Sequence, residues 1–200
     1  GIGRVAAGSV LLVANMKQPF SDAKGLISYA KANPGKVSFS GVKNVLPYMT
    51  AQAFANAAGI KFKHIPAKGD AGAVPMALGG HTNLVASSSL NAVASHLEAG
   101  TMTAIVAFSE ERLPEIPKTP TAIELGFNVT GSPWTGIAVA KGVPEAIITK
   151  LRAELKAVVA NPDFVVRATK AKTTVSYLDG PSFEKQWERE FTNFKGVVGK

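Results

Sequence analysis

Cysteine is absent from the 200 residues of this chain. Disulfide bonds, thiol catalysis and thiolate metal ligands are therefore excluded. Long apolar runs are absent too, since the longest, from residue 10 to residue 16, has the length of a buried strand and not of a membrane-spanning helix. No signal-peptide pattern is visible. Because the chain opens abruptly at Gly1, we expect a processed or truncated N-terminus.

Side-chain clusters typical of catalysis or metal binding are scarce as well. His64, His81 and His96 lie far apart and lack the spacing of a zinc site. No Gly-x-Ser-x-Gly pattern marks a nucleophile, and no pair of carboxylates stands out for acid–base work. The loop at residues 41–44 lacks the Gly-Lys-Ser/Thr ending of a P-loop, which argues against a nucleotide site. We therefore expect no metal, no cofactor and no enzymatic activity.

Charged residues make up only 18% of the chain, with 22 basic and 14 acidic residues and a formal net charge of +8. The lysines are scattered along the sequence instead of being gathered with aromatic side chains, which argues against a nucleic-acid surface. They are explained by a solvated basic surface. The alternative is long-range attraction of an anionic ligand.

Strand-like and helix-like segments alternate along the whole chain. This alternation predicts an α/β fold with mostly parallel sheets and helices on both faces. Residues 8–108 are expected to form one α/β unit, residues 109–134 a crossover or hinge region, and residues 135–200 the returning half of a second unit. In the last predicted helix, Phe183, Trp187 and Phe191 recur at helical spacing, and we expect Trp187 to be core.

Three predicted strand ends carry the candidate binding residues. A short strand ending at Pro66 runs through a lysine-glycine turn into a helix of small residues, and similar junctions occur earlier and later. Unpaired N–H groups and the helix dipole favour an anion at such junctions. The candidate ligand-binding residues are Ser40, Gly41, Lys43, Asn44, Lys68, Gly69, Ser87 and Ser88, with Trp134 before a later strand.

Each candidate also has a purely structural interpretation. The loop at residues 41–44 can be an ordinary turn, and Lys68 an exposed turn lysine. Ser87 and Ser88 can serve as helix caps. Trp134 can fill core between two lobes instead of covering a ligand. His64, inside a strand, is expected to be a hydrogen-bonded structural side chain.

Several short segments, in order along the chain, resemble one known family. They are residues 28–36 (SYAKANPGK), 64–69 (HIPAKG), 78–81 (LGGH), 119–126 (TPTAIELG) and 175–180 (VSYLDG). Over essentially the whole chain, they resemble the substrate-binding proteins of tripartite tricarboxylate transporters, the Bug (TctC) family of the bacterial periplasm.

The resemblance implies a periplasmic-binding-protein-like clamshell of two lobes. Such a protein captures a small organic carboxylate without covalent chemistry and delivers it to membrane transporter subunits, in the periplasm and without itself spanning the membrane. The resemblance also implies that the N-terminal part of the first lobe is missing here, and that residues 135–200 return to that lobe.

This chain departs from the family pattern at four positions near the candidate site. Asn44 stands where a second glycine is common, and Val45 where a hydroxyl residue is common. Ala67 stands where an aromatic residue is common, and Asn83 where an aspartate is common. These departures imply either an altered ligand preference or a pocket that is no longer used in the usual way. Two alternative functions remain open, namely a ligand-binding accessory of a signalling receptor and an α/β enzyme acting on a carboxylate.

Overall fold

A computed structural model of the chain describes residues 1–170 and 173–195, except for the side chain of Asn193. It divides the chain into two compact units. Of the described residues, unit 1 comprises residues 1–8, 133–170 and 173–192, and unit 2 comprises residues 9–132 and 193–195. Residues 109–132, expected to form a crossover, therefore belong to unit 2.

The strands and helices follow one another along the chain in the alternation that the sequence predicts. They are β1 (Gly3–Ala7), β2 (Leu11–Asn15), α1 (Ala23–Ala32), β3 (Val37–Gly41), α2 (Leu46–Ala57), β4 (Phe62–Pro66), α3 (Gly69–Leu78), β5 (Leu84–Ser87), α4 (Ala94–Glu98), β6 (Met102–Ala107), β7 (Trp134–Ile137), α5 (Glu145–Ala160), α6 (Pro162–Lys170), β8 (Val175–Asp179) and α7 (Gly180–Lys195). Among the residues described, no helix is long and apolar enough to cross a membrane.

Unit 2 is built on a five-stranded sheet in the order β4-β3-β5-β2-β6. Strand β3 pairs in parallel with β4 and β5, whereas β2 pairs antiparallel with β5 and β6. Four strands therefore point one way, as expected of a mostly parallel sheet, and β2 is the exception. The direction of β2 follows from the point at which the chain enters the sheet, which is beside the carboxyl end of β6. Val10 donates to Gly131 and accepts from Phe108, just beyond β6, so β2 starts where the parallel strands end.

Helices cover both faces of this sheet, as predicted. On β2, Leu12 and Ala14 pack into the cluster formed with α1 and α2, whereas Leu11 and Val13 pack into the cluster formed with α3. All four side chains are fully buried. A strand buried on both faces has to be apolar at every position, and this explains the continuous apolar run of β2.

Unit 1 contains a three-stranded sheet in the order β7-β1-β8, in which both pairings are antiparallel. The expectation of a mostly parallel sheet is therefore wrong for this unit. In each sheet an N-terminal strand is inserted between two strands that a helical crossover joins: β1 between β7 and β8, and β2 between β5 and β6. Local sequence patterns reveal the crossovers, but they do not reveal the inserted strand.

Helix α7 buries Phe183 against this sheet but leaves much of its other aromatic surface open. A Cβ on Gly136 of β7 would come within 2.5 Å of the Phe183 ring, so glycine is required for this close approach. Trp187 is 47% exposed and Phe191 is 66% exposed. The prediction that Trp187 belongs to the core is wrong, because helical spacing identifies an apolar face without showing that anything covers it.

Candidate functional site

The carboxyl ends of β3, β4 and β5 bring three loops to one edge of the five-stranded sheet. Parallel strands end at the same edge, and ligands of α/β sheets commonly bind there. In the register, Gly41 lies opposite Pro66, and Ser40 lies opposite Val85. The loops at residues 42–45, 67–68 and 88–89 therefore start at nearly one level, on strands spaced about 4.8 Å apart. We call this region the carboxyl edge.

The first loop carries Lys43 and Asn44, both exposed. Asn44 has a φ of +61°, and it is the one non-glycine residue with positive φ in the described part of the chain. Asparagine tolerates this left-handed conformation better than most residues. The loop ends at Val45, the N-cap residue of α2, which makes no side-chain capping bond. The Leu46 and Tyr48 amides therefore lack that partner, and Pro47 between them has no N–H.

The second loop carries Lys68 and leads into α3 at Gly69, and both residues are exposed. Lys68 occupies the N-cap position and makes no side-chain capping bond. Gly69 has a φ of +66°, a conformation that favours glycine. The arrangement leaves two ammonium groups, Lys43 and Lys68, on loops of the carboxyl edge.

The third loop contains serines with different environments. Ser87 is fully buried, and its hydroxyl donates to the Ser89 carbonyl at 3.0 Å. Ser88 is exposed, and it binds the Asp70 carboxylate. Its backbone N–H lies 3.2 and 3.1 Å from Oδ1 and Oδ2, and its hydroxyl lies 2.5 Å from Oδ2.

Sequence reasoning missed Asp70, although a signal was present. The residue lies in the first turn of α3, directly after the predicted lysine-glycine turn. Acidic residues are favoured in the first turn of a helix, where they interact with the dipole. The start of α3 was predicted to bind an anion, and Asp70 supplies a negative charge at that same helix start.

Ser40 and Gly41 support the carboxyl edge from within the sheet. Ser40 is fully buried, and its hydroxyl donates to the Ala73 carbonyl of α3 at 2.9 Å. The Gly41 carbonyl accepts from the Ala67 amide and from His64 Nε2, each at 2.9 Å. Because a carbonyl only accepts, this bond places the proton of His64 on Nε2. The prediction that His64 is a hydrogen-bonded structural side chain is confirmed.

Trp134 lies in unit 1, whereas every other candidate residue lies in unit 2. Its ring packs edge-on against Phe183 with centroids 4.8 Å apart, and its indole N–H donates to Glu190 at 2.8 Å. Glu190 also accepts from Gln186, which in turn accepts from the buried Arg4. The polar group of Trp134 is thus used within unit 1.

The carboxyl edge therefore offers an anion two kinds of donor, helix amides without side-chain caps and two exposed ammonium groups. The Ser88 N–H and hydroxyl are further donors at this edge, and both bond to Asp70. Within residues 1–170 and 173–195, no group of three or more His, Asp or Glu side chains is arranged to hold a metal ion. Donors of these kinds suit the non-covalent binding of negative charge.

A family model described as "Tripartite tricarboxylate transporter family receptor" (TctC) matches residues 1–196. The chain belongs to this family, as its sequence resemblance indicated. It is 27% identical over 197 residues to the UPF0065 protein in the gbd 5' region of Cupriavidus necator, covering 98% of this chain and 60% of that protein. It is 29% identical over 160 residues to a UPF0065 protein of Pseudomonas sp. strain P51, covering 78% of this chain and 47% of that protein.

Solved structures show the same fold. A TctC solute-binding protein from Polaromonas superposes with a TM-score of 0.88 at 25% identity, covering 98% of this chain and 68% of its own. The R. palustris protein Rpa4515, solved with adipate, has a TM-score of 0.73 at 21% identity, over 98% of this chain and 66% of its own. The chain spans about half to three fifths of the curated relatives that it matches.

Proposed function

We propose that the protein is a periplasmic solute receptor that captures a small organic carboxylate and presents it to the membrane subunits of a tripartite tricarboxylate-type transporter. The ligand is held without covalent chemistry and released unchanged. Family membership supports this proposal, and so does the fold shared with solute-binding proteins.

The observation that carries the proposal is the convergence of donors at the carboxyl edge. Two helices start there without side-chain caps, and Lys43, Lys68 and Ser88 are exposed on the adjoining loops. In this proposal Lys43, Asn44, Lys68, Gly69 and Ser88 contact the ligand. The buried Ser40, Gly41 and Ser87 hold the loops in place, and Trp134 acts through the packing of unit 1.

We also propose that unit 1 is the C-terminal part of a larger lobe. In the described part of the chain, twelve large apolar side chains are exposed, and eight of them lie in unit 1. Relatives carry additional residues beyond the matched region, since this chain covers 60% of the Cupriavidus necator protein. Further residues of that lobe would cover these apolar side chains in the longer protein.

Thermal unfolding in the presence of candidate ligands tests the receptor proposal. The panel contains a monocarboxylate, malate, adipate, a tricarboxylate and the uncharged diamide of adipate. A ligand present at one hundred times its Kd stabilises the folded state by about 2.7 kcal/mol. At least one carboxylate should therefore raise Tm by roughly 5–10 °C, given about 2–4 °C per kcal/mol for a chain of this size. The diamide should have no effect.

Two lysine variants then test where the ligand binds. Lys43→Met and Lys68→Met should each weaken binding roughly 1.5- to 5-fold, because exposed ion pairs contribute about 0.2–1 kcal/mol. Lys61→Met is the matched control, since Lys61 is exposed and precedes β4 at the opposite edge of the sheet. The proposal fails if no carboxylate at millimolar concentration shifts Tm, or if the control weakens binding as much as the loop variants do.

A further inference from the structure

The carboxyl edge already holds one carboxylate, which the protein itself supplies. Both oxygens of Asp70 lie within hydrogen-bonding distance of the Ser88 amide, and one of them also accepts from the Ser88 hydroxyl. Asp70 belongs to the first turn of α3, and Ser88 follows β5, so this contact links the second loop of the edge to the third. Ser88 is exposed and Asp70 is half-buried, which leaves the pair open to solvent.

This contact shows that the Ser88 loop is shaped to bind a carboxylate. A backbone N–H and a hydroxyl supply one proton each, so Ser88 can satisfy only one carboxylate fully at a time. A carboxylate that arrives from solution finds these donors occupied. It also meets the negative charge of Asp70, on the same edge of the sheet as the exposed Lys43 and Lys68.

We propose that Asp70 competes internally with the ligand and sets the charge selectivity of the receptor. In this proposal, which rests on the proposed function, a ligand carboxylate takes over the Ser88 N–H and hydroxyl, and the Asp70 side chain turns outward into water. Asp70 can do so because it is partly solvated and because, within the described residues, the hydrogen bonds given for its side chain all go to Ser88.

The competition lowers affinity most for ligands of high negative charge. Removing Asp70 frees the Ser88 donors and abolishes one charge repulsion. At a separation of about 6 Å, that repulsion alone corresponds to roughly 3- to 100-fold in affinity between the limits of bulk water and a protein surface. A dicarboxylate carries twice the charge of a monocarboxylate, so its gain in affinity should be the larger.

Calorimetric titration of the purified protein with malate, adipate and a monocarboxylate tests the proposal. Asp70→Asn keeps the side-chain size and loses the charge, and it should bind the dicarboxylates at least threefold more tightly than the parent protein. Asp163→Asn is the matched control, because Asp163 is an exposed first-turn acid of α6 in unit 1. The control should stay within twofold. Ser88→Ala added to Asp70→Asn should reduce the gain without abolishing it, because the hydroxyl is lost while the backbone N–H remains and the Asp70 charge stays absent.

Two further measurements guard against a folding defect. Asp70→Ser repeats the charge removal with a residue suited to helix starts, and the Tm of each ligand-free variant is recorded. In the parent protein, the Ser88 amide resonance should shift upon ligand addition, since its bonding partner changes. If the parent protein binds a carboxylate and both Asp70 variants bind it equally or more weakly, the inference is overturned and the receptor proposal stands. If no variant binds any carboxylate, both are overturned.

Discussion

Asn44 shows how a single backbone angle explains a substitution. The family resemblance places a glycine at this position, and its replacement was expected to change ligand preference. With a φ of +61°, Asn44 retains the left-handed conformation that a glycine would supply. The replacement therefore preserves the course of the loop and adds one exposed amide side chain at the carboxyl edge.

Substitutions of Asn44 should separate backbone strain from side-chain effects. Asn44→Val should destabilise the protein by about 1–2 kcal/mol, because a β-branched residue is strained at positive φ. Asn44→Gly should change stability by only a few tenths of a kcal/mol. Urea unfolding measures both. A Val variant as stable as the Gly variant would show that the loop does not hold this conformation in solution.

The sequence predicted which loops form the carboxyl edge, but it did not predict which side chains in them face solvent. Ser40 and Ser88 were both chosen as donors, yet Ser40 bonds inward to α3 and Ser88 faces solvent. The alternation of a strand fixes which face a residue takes, but the partner of the Ser88 hydroxyl is Asp70, eighteen residues earlier. Such long-range contacts leave no local pattern.

At the scale of elements, the boundaries were predictable and the pairings were not. Gly100 shortly precedes β6, and Gly79 ends α3, because glycine and proline mark the ends of elements. The stretch at residues 121–125 forms a single turn, in which the Thr121 amide donates to Glu124 and the Glu124 amide donates to the Thr121 hydroxyl.

This turn gives the protein a testable dependence on pH. The hydrogen bond from the Thr121 amide and the Arg112 side chain hold the pKa of Glu124 below its usual value of 4.5. A lowered pKa contributes stability that is present above pH 4.5 and is lost as the pH falls through the lowered value. The difference in Tm between the parent protein and Glu124→Gln should therefore be constant above about pH 5.5 and shrink on acidification.

Glu154→Gln is the control for this pH profile, since Glu154 is exposed on α5 and no hydrogen bond is described for its side chain. The difference in Tm between Glu154→Gln and the parent protein should change little over the same pH range. An equal decline in both variants would show that general acid destabilisation, and not the turn, causes the effect.

For the molecule as a whole, the two units differ in how fully they cover their apolar side chains. Unit 2 buries helices against both faces of its sheet. In unit 1, α5, α6 and α7 together expose Ile147, Val166 and the aromatic rings of Trp187 and Phe191. Exposed apolar surface of this extent is typical of interaction surfaces or of surface that another segment covers.

The exposed surface of unit 1 should be detectable when these 200 residues are produced alone. We expect strong binding of the dye ANS and concentration-dependent association, both reduced by Trp187→Ser combined with Phe191→Ser. Ile123→Ser is the control, because Ile123 is an exposed apolar residue of unit 2. Dye binding that survives the double substitution would mean that this face is not the one responsible.

The inserted strand β1 has a consequence for the entropy of folding. Its sheet partners, β7 and β8, follow it by more than a hundred residues, whereas residues 9–132 of unit 2 form one continuous stretch. Closing the sheet of unit 1 therefore closes a loop that contains most of unit 2. Because the entropic cost of loop closure grows with loop length, β1 adds to its sheet at a smaller cost once unit 2 is compact.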